Sequence, residues 1–292
     1  MSKTYRILIT GSSGMLGVDL WQELEQNYDV FGVDLTPNSQ PTTPNFYSVD
    51  ITEMDSVIST VGKIKPDVVI HVAAYTDVDG CERDAQKAYR VNSDGAKNIA
   101  LACRDNDAVL VYISTDFVFD GKSKTPYKET DETGPLSVYG DSKLKGEEAV
   151  QDILKKYYIL RTSWLYGKYG KNFVDTILAK AKAEKALKVV DDQVGSPTYT
   201  KDLARAIHAL LDMGKGYGTY HVSNSGSVSW YDYAREILRL AGSKTKVIPI
   251  SSEELARPAK RPAMSILDNS KFIEFTGYGM RNWKDALKEY LS

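Results

Sequence analysis

Tyr139 and Lys143 stand four residues apart, twenty-three residues after the run Ser114, Thr115 and Asp116. On a helix, residues at that spacing stack on one face, with Cβ atoms about 5–6 Å apart. A lysine ammonium there favours the phenolate, so it is expected to draw the tyrosine pKa from about 10 toward neutrality. A phenol so placed is a general acid for a carbonyl oxygen that is receiving a hydride. Thr115 and Ser114, at the end of a preceding strand, can add a hydroxyl to the same oxygen. In a chain with 19 tyrosines the spacing alone is weak; its meaning depends on the elements around it.

Those elements begin at the N-terminus. Residues 5–10 read as a short buried strand, followed by Gly11, Gly14 and Gly17 and then a helical pattern of Leu16, Leu20 and Leu24. Strand, glycine turn and helix together form the context of a dinucleotide fingerprint. Gly11 makes the tight turn, Gly14 admits a pyrophosphate to the backbone, and Gly17 lets helix pack on strand. The helix N-terminus then holds the anion. The next strand, residues 29–33, ends at Asp34, whose carboxylate suits both ribose hydroxyls of NADH and repels a 2′-phosphate. No Lys or Arg lies between Leu35 and Gly62 to neutralise such a phosphate. Asp50 and Ile51, after a strand at residues 46–49, are placed to meet an adenine edge.

The 292 residues can bury a large core in one domain or two. A net charge of −2 offers no nucleic-acid surface. Apolar runs are strand-sized, far below the ~20 residues of a membrane span, and the expected start shows no signal-peptide core. Cys81 and Cys103, with three histidines, make no plausible metal set, so no metal is expected and a reduced, cytoplasmic protein is. Further strands are expected at residues 67–72, 108–114 and 157–162, and helices near 54–64, 85–104 and 138–154. This alternation predicts an α/β fold, a doubly wound parallel sheet of the Rossmann type with ligands at the carboxyl ends of its strands. After about residue 165 the pattern loosens into helices near 168–182, 200–211, 230–241 and 282–291, split by proline-bearing segments. Residues 1–165 are therefore expected to form mainly the dinucleotide-binding domain. Residues 166–292 are expected to form mainly a smaller, mixed α/β substrate lobe interleaved with it.

The glycine turn with Ser114–Asp116 and the Tyr139/Lys143 pair resembles the extended short-chain dehydrogenase/reductase superfamily. Seven segments in order resemble, more closely, the dTDP-4-dehydrorhamnose reductase family: residues 73–79, 114–121, 135–147, 161–167, 172–173, 192–198 and 261–268. The resemblance implies reduction of the 4-keto group of a dTDP-6-deoxy-hexulose with NADH (preferred) or NADPH. It implies Thr115, Tyr139 and Lys143 as the catalytic trio, with Lys143 also holding the nicotinamide ribose. It implies a cofactor surface of Gly11, Ser13, Gly14, Met15, Leu16, Gly17, Asp34, Asp50, Ile51, Ala73, Ala74, Tyr75 and Asn92 together with Tyr139 and Lys143. The sugar pocket it implies is lined by Thr76, Val78, Thr115, Asp116, Phe117, Tyr139 and Trp164, with Asn172 and Arg261 reaching the diphosphate. His71 stands where relatives often carry Asn, and reads as a core histidine. A nucleotide sugar is the expected partner, with no nucleic acid and no membrane; a homodimer is compatible with the reading.

Other functions share parts of this pattern. A sugar-nucleotide 4,6-dehydratase needs a further acid where Phe117 stands. A sugar-nucleotide 4-epimerase uses the same Tyr, Lys and hydroxyl but keeps NAD through turnover. A non-catalytic regulatory subunit of methionine adenosyltransferase, which resembles the reductases, binds cofactor and partner without sugar turnover.

Overall fold

The computed structural model describes residues 5–37 and 45–292. Parts of two expectations, residues 1–4 of the first domain and 38–44 of the base-free stretch after Asp34, lie outside them. The strands are β1 (Arg6–Thr10), β2 (Asp29–Asp34), β3 (Phe46–Ser48), β4 (Val68–His71), β5 (Val109–Thr115) and β6 (Tyr157–Thr162). They continue as β7 (Leu165–Tyr166), β8 (Ala186–Val190), β9 (Val194–Gly195), β10 (Thr198–Tyr199), β11 (Gly218–His221), β12 (Val228–Ser229) and β13 (Lys246–Ile250). Seven of them form one parallel sheet in the order β11-β6-β5-β4-β1-β2-β3. The order reverses between β1 and β4, and that switch point is where an open α/β sheet takes its ligand.

The sheet is buried on both faces, which is why its strands read as nearly unbroken apolar runs. Side chains alternate across it. Ile7, Ile9, Val111, Ile113 and Leu160 face one layer, while Leu8, Val69, Leu110, Tyr112 and Ile159 face the other. The second layer holds α2 (Met54–Ile64), α5 (Gly95–Asp105) and α6 (Val138–Ile153). The first is closed by α1 (Met15–Leu24) and by α8 (Thr200–Met213), through Leu203, Ile207 and Leu210. Thus a helix and a strand from beyond residue 165, α8 and β11, complete the layer and the edge of the nucleotide-binding sheet.

The expected helix at 85–104 is broken. It runs as α4 (Ala85–Tyr89), a π-helical stretch at Arg90–Asp94, and then α5. A short α3 (Val78–Arg83) precedes it. A third apolar cluster gathers α7 (Phe173–Ala183), β8, α9 (Trp230–Leu240) and α12 (Trp283–Leu291) into the smaller lobe. Two short helices, α10 (Ser252–Leu255) and α11 (Ser270–Thr276), complete the element order. No described helix is long and apolar enough to cross a membrane.

Candidate active site

Two of the three glycines stand where the backbone leaves no room for a side chain. Gly11 sits at φ +68°, and a Cβ there would lie 2.7 Å from the Ala73 amide nitrogen, across the β1/β4 switch point. A Cβ on Gly17 would come to 2.1 Å from the Gly11 carbonyl oxygen, so helix α1 can seat against the turn only if that residue is glycine. Asp34 is anchored to the same turn: its carboxylate accepts from the Ser13 amide at 3.0 Å and from the Leu35 amide at 2.8 Å. Ser13 acts through that backbone contact. Asn92, in the π-helical stretch, also works by positioning. Its amide bonds both the N–H and the C=O of Tyr75, at 2.8 and 3.1 Å, and donates to the Ser142 hydroxyl at 3.0 Å. Ser142 in turn donates to the Tyr139 carbonyl, so the turn after β4 and helix α6 are tied through one buried asparagine.

A cavity of about 720 Å³ opens along this edge. Its wall includes Gly11, Gly14, Met15, Leu16, Asp34, Asp50, Ile51, Ala73, Ala74, Thr76 and Val78. It also includes Thr115, Asp116, Phe117, Tyr139, Lys143, Trp164 and Arg261, so most of the residues singled out in the sequence meet there. Gly17, Ser13, Tyr75 and Asn92 stand behind the wall and hold it. Lys87, Arg90 and Lys171 join Lys143 and Arg261 as cations in the lining, a balance that suits an anionic ligand. The open turn at Gly14, the anchored Asp34 carboxylate and these cations fit a dinucleotide.

The residues expected to react lie at the end of β5 and on α6. Ser137 caps α6 by accepting from the Gly140 amide, and the helix presents Tyr139 and Lys143 on one face. The Tyr139 phenol meets the Thr115 hydroxyl, which donates to Asp116 at 3.1 Å. Lys143 is 3 % exposed; its ammonium donates to the Ile113 carbonyl at 2.7 Å and lies 4.1 Å from the centre of the Tyr112 ring. Burial lowers its pKa to about 7, against the pull of the Glu147 carboxylate.

The electrostatics correct one expectation. The Tyr139 pKa is not drawn toward neutrality but raised above the ordinary phenol value. Burial is the main cause; the Thr115 hydroxyl lowers it and the Asp116 charge raises it further. Lys143, whose ammonium is bonded to the Ile113 carbonyl and lies over the Tyr112 ring, does not offset that burial. Asp116, 1 % exposed, is raised to about 7 by burial, with the Ser265 and Thr115 hydroxyls pulling it back. His71 is the core residue its context implied: burial, then the Lys143 charge, lowers it to about 3, and its Nδ1 pairs with the Thr10 hydroxyl at 2.6 Å.

Asn172, expected to reach the diphosphate, makes the contacts of a helix cap, between Lys171 and Phe173 of the cavity wall. Its side chain accepts from the Asp175 amide at 3.0 Å to cap α7 and donates to the Gly167 carbonyl at 2.8 Å, and it lies outside the cavity wall. Trp164 does line the cavity, but one face of its indole is stacked on Trp230, ring centres 3.5 Å apart. Arg261 reaches the cavity from a segment pinned to α3, where the buried Asp79 carboxylate takes Arg261 at 3.1 Å, Arg257 at 2.9 Å and the Ala259 amide at 3.2 Å. A second cavity of about 300 Å³ shares Phe117, Trp164, Phe173, Trp230 and Arg261 with the first and adds Arg257, Lys180 and Lys188.

Several residues escaped the sequence reading. Glu147 and Arg161 form a buried ion pair, closed by a bond of 2.7 Å, and Glu147 also accepts from the Ser114 hydroxyl at the end of β5. Their only sequence signal is that each falls inside a matched segment. Asp79 has the same signal, as the last residue of segment 73–79, whereas Trp230 and Arg257 carried none, because only the fold brings them to the site.

Comparison with known proteins agrees with this geometry. The family model described as RmlD substrate binding domain matches residues 5–292. The spore coat polysaccharide biosynthesis protein SpsK of Bacillus subtilis is 42 % identical over 98 % of this chain and 96 % of its own. The crystal structure of a dTDP-4-dehydrorhamnose reductase from Clostridium acetobutylicum superposes with a TM-score of 0.91 at 46 % identity, covering 98 % of each chain. A dTDP-4-dehydrorhamnose reductase of Bacillus anthracis, solved in complex with NADP, gives 0.91 at 41 %, again over 98 % of each.

Proposed function

Because this chain belongs to the RmlD substrate binding domain family, that of the dTDP-4-dehydrorhamnose reductases, we infer that it is an NAD(P)H-dependent oxidoreductase that reduces dTDP-4-dehydrorhamnose to dTDP-L-rhamnose. The observation that carries the reading is the meeting of Tyr139 with the Thr115 hydroxyl, with Lys143 on the same helix face, in one cavity with the glycine turn.

When bound, a nicotinamide would supply the hydride for the 4-carbon. Thr115 and Tyr139 bind the 4-oxygen, and Tyr139 delivers its proton as charge develops there. A raised phenol pKa keeps that proton in place until the oxygen becomes basic enough to take it. Lys143 would hold the nicotinamide ribose, and Gly11, Gly14, Met15 and Leu16 would cradle the pyrophosphate at the start of α1. Residues 1–165 supply mainly the dinucleotide half and residues 166–292 mainly the substrate lobe. The second cavity, cationic through Arg257, Arg261, Lys180 and Lys188 and apolar through Leu187 and Val189, takes the nucleotide of the substrate.

NADH is the preferred form of the cofactor. The support for this is the Asp34 carboxylate at the end of β2, fixed by the Ser13 and Leu35 amides: a carboxylate at that position accepts from ribose hydroxyls and repels a 2′-phosphate. The test of the function is NADH consumption with purified dTDP-4-keto-6-deoxyhexose beside the UDP analogue. One NADH oxidised per sugar, with the dTDP compound favoured, is the expected result. Conversion of a nucleotide sugar with no net oxidation of NADH would instead identify a 4-epimerase.

A further inference from the structure

The two cavities are divided by an aromatic wall whose construction is unusual. Trp164 adopts φ +48°, a left-handed backbone that L side chains rarely adopt. Strain of that kind persists only where the surroundings over-determine it. Two features here do so. Its indole lies against Trp230 with ring centres 3.5 Å apart and planes 6° from parallel. Beside it, Gly195 presents a bare Cα: a Cβ there would fall 2.5 Å from Cε2 and 2.7 Å from Nε1 of Trp164.

The fold places these two supports together on purpose-built local structure. Strands β9 and β12 pair antiparallel, Gly195 opposite Val228 and Val194 opposite Ser229, so Gly195 sits next to the residues that lead into Trp230. Ser229 then caps α9, accepting from the Asp232 amide and donating to Asp191. That cap fixes Trp230 as the first residue of its helix. Phe173, at the start of α7, backs Trp230 at 4.4 Å between ring centres.

We propose that Trp230 and Gly195 form a clamp that holds Trp164 in its strained pose as the wall against which the substrate sugar is positioned. The inference rests on the function proposed above and deepens it. Trp230 is a positioning residue: it sets the substrate fit through Trp164 and takes no part in proton or hydride transfer. A wall of this kind favours a sugar that offers it an apolar face and methyl over one that offers hydroxyls.

The test compares Trp230→Ala, Trp230→Phe and Gly195→Ala with the unaltered protein. Two indoles stacked at 3.5 Å give an exciton couplet in the aromatic and far-ultraviolet circular dichroism, which reports the clamp without any substrate. Trp230→Ala should abolish the couplet and raise KM for the dTDP-4-keto sugar by roughly ten- to a hundredfold, the size of one lost buried aromatic contact. It should change kcat only a few-fold and leave the Kd for NADH unaltered. Trp230→Phe, which keeps a stacking ring, should recover most of the KM. Gly195→Ala should alter the couplet and raise KM by pressing a methyl against the Trp164 indole. Unchanged KM in both Trp230→Ala and Gly195→Ala would overturn the clamp. So would a parallel loss of Tm, NADH affinity and substrate affinity that Trp230→Phe does not relieve. If the unaltered protein reduces no nucleotide sugar, the proposed function fails. The couplet then decides the clamp alone: its change in Gly195→Ala supports it, and its persistence there overturns it.

Discussion

Raising the pH should weaken NADH binding through one group, Lys143. Its ammonium is 3 % exposed, donates to the Ile113 carbonyl at 2.7 Å, and has its pKa lowered by burial to about 7. If the charged form is what holds the nicotinamide ribose, the binding-competent fraction is half at pH 7 and about a hundredth at pH 9. The Kd for NADH should then rise roughly fiftyfold over those two units, approaching tenfold per unit at the upper end. Global unfolding does not imitate this effect, because the sign of its linkage to Lys143 is opposite. With a folded pKa below the ordinary lysine value of 10.5, the unfolded chain holds more protons between about 7 and 10.5. On this group's account, stability therefore rises with pH across that window, while below it the penalty of the buried ammonium is fully present. The assay is NADH fluorescence titration from pH 6 to 9 on the unaltered protein and on Lys143→Met. The variant should bind NADH weakly with a flat pH profile. A flat profile in the unaltered protein, or the same alkaline limb in Lys143→Met, would refute the reasoning.

Tyr139→Phe should leave NADH binding nearly intact while lowering turnover by about 10²–10⁴-fold, the usual worth of a positioned acid; turnover like the unaltered protein's would remove Tyr139 from the mechanism. Asp34→Ala should narrow the preference for NADH over NADPH, since it removes a repulsion and hydrogen bonds together; competitive titration of both cofactors measures it, and a clear NADPH preference in the unaltered protein would show that Lys or Arg from elsewhere in the wall supplies a phosphate site. Asp116 is raised by burial to about 7, so the folded chain keeps a proton that the unfolded chain has already lost. Its contribution to stability therefore falls as pH rises from about 4 to about 7. Asp116→Asn should remove that slope, as read from denaturation midpoints across the range; identical slopes in both proteins would contradict the buried carboxyl.

The sequence by itself determined the parts whose chemistry is local. Gly11 and Gly17 sit where no other residue fits, Asp34 ends the second strand, and a Tyr–Lys pair at helical spacing shares one face because the period of a helix requires it. The strands of the sheet were legible because burial on both faces writes them as short apolar runs. The order of the seven sequence segments also determined the family, which the comparisons confirm. What only the tertiary structure decided are properties of neighbours distant in the chain. The pKa of Tyr139 is one: spacing shows a lysine nearby but not that its ammonium is bonded to Ile113 and desolvated. Asn172 is another, since a polar residue before a helix reads equally as a ligand or a cap until its partners are known. Strand β11 and helix α8 come from beyond residue 165 yet complete the nucleotide-binding layer, because that sheet's edge and face needed covering and local propensity does not record which segment will cover them. Trp230 carried no signal, and Gly195 only its place within segment 192–198. Their roles arise from a ring stack and a missing Cβ beside Trp164, contacts that exist only once the chain has folded.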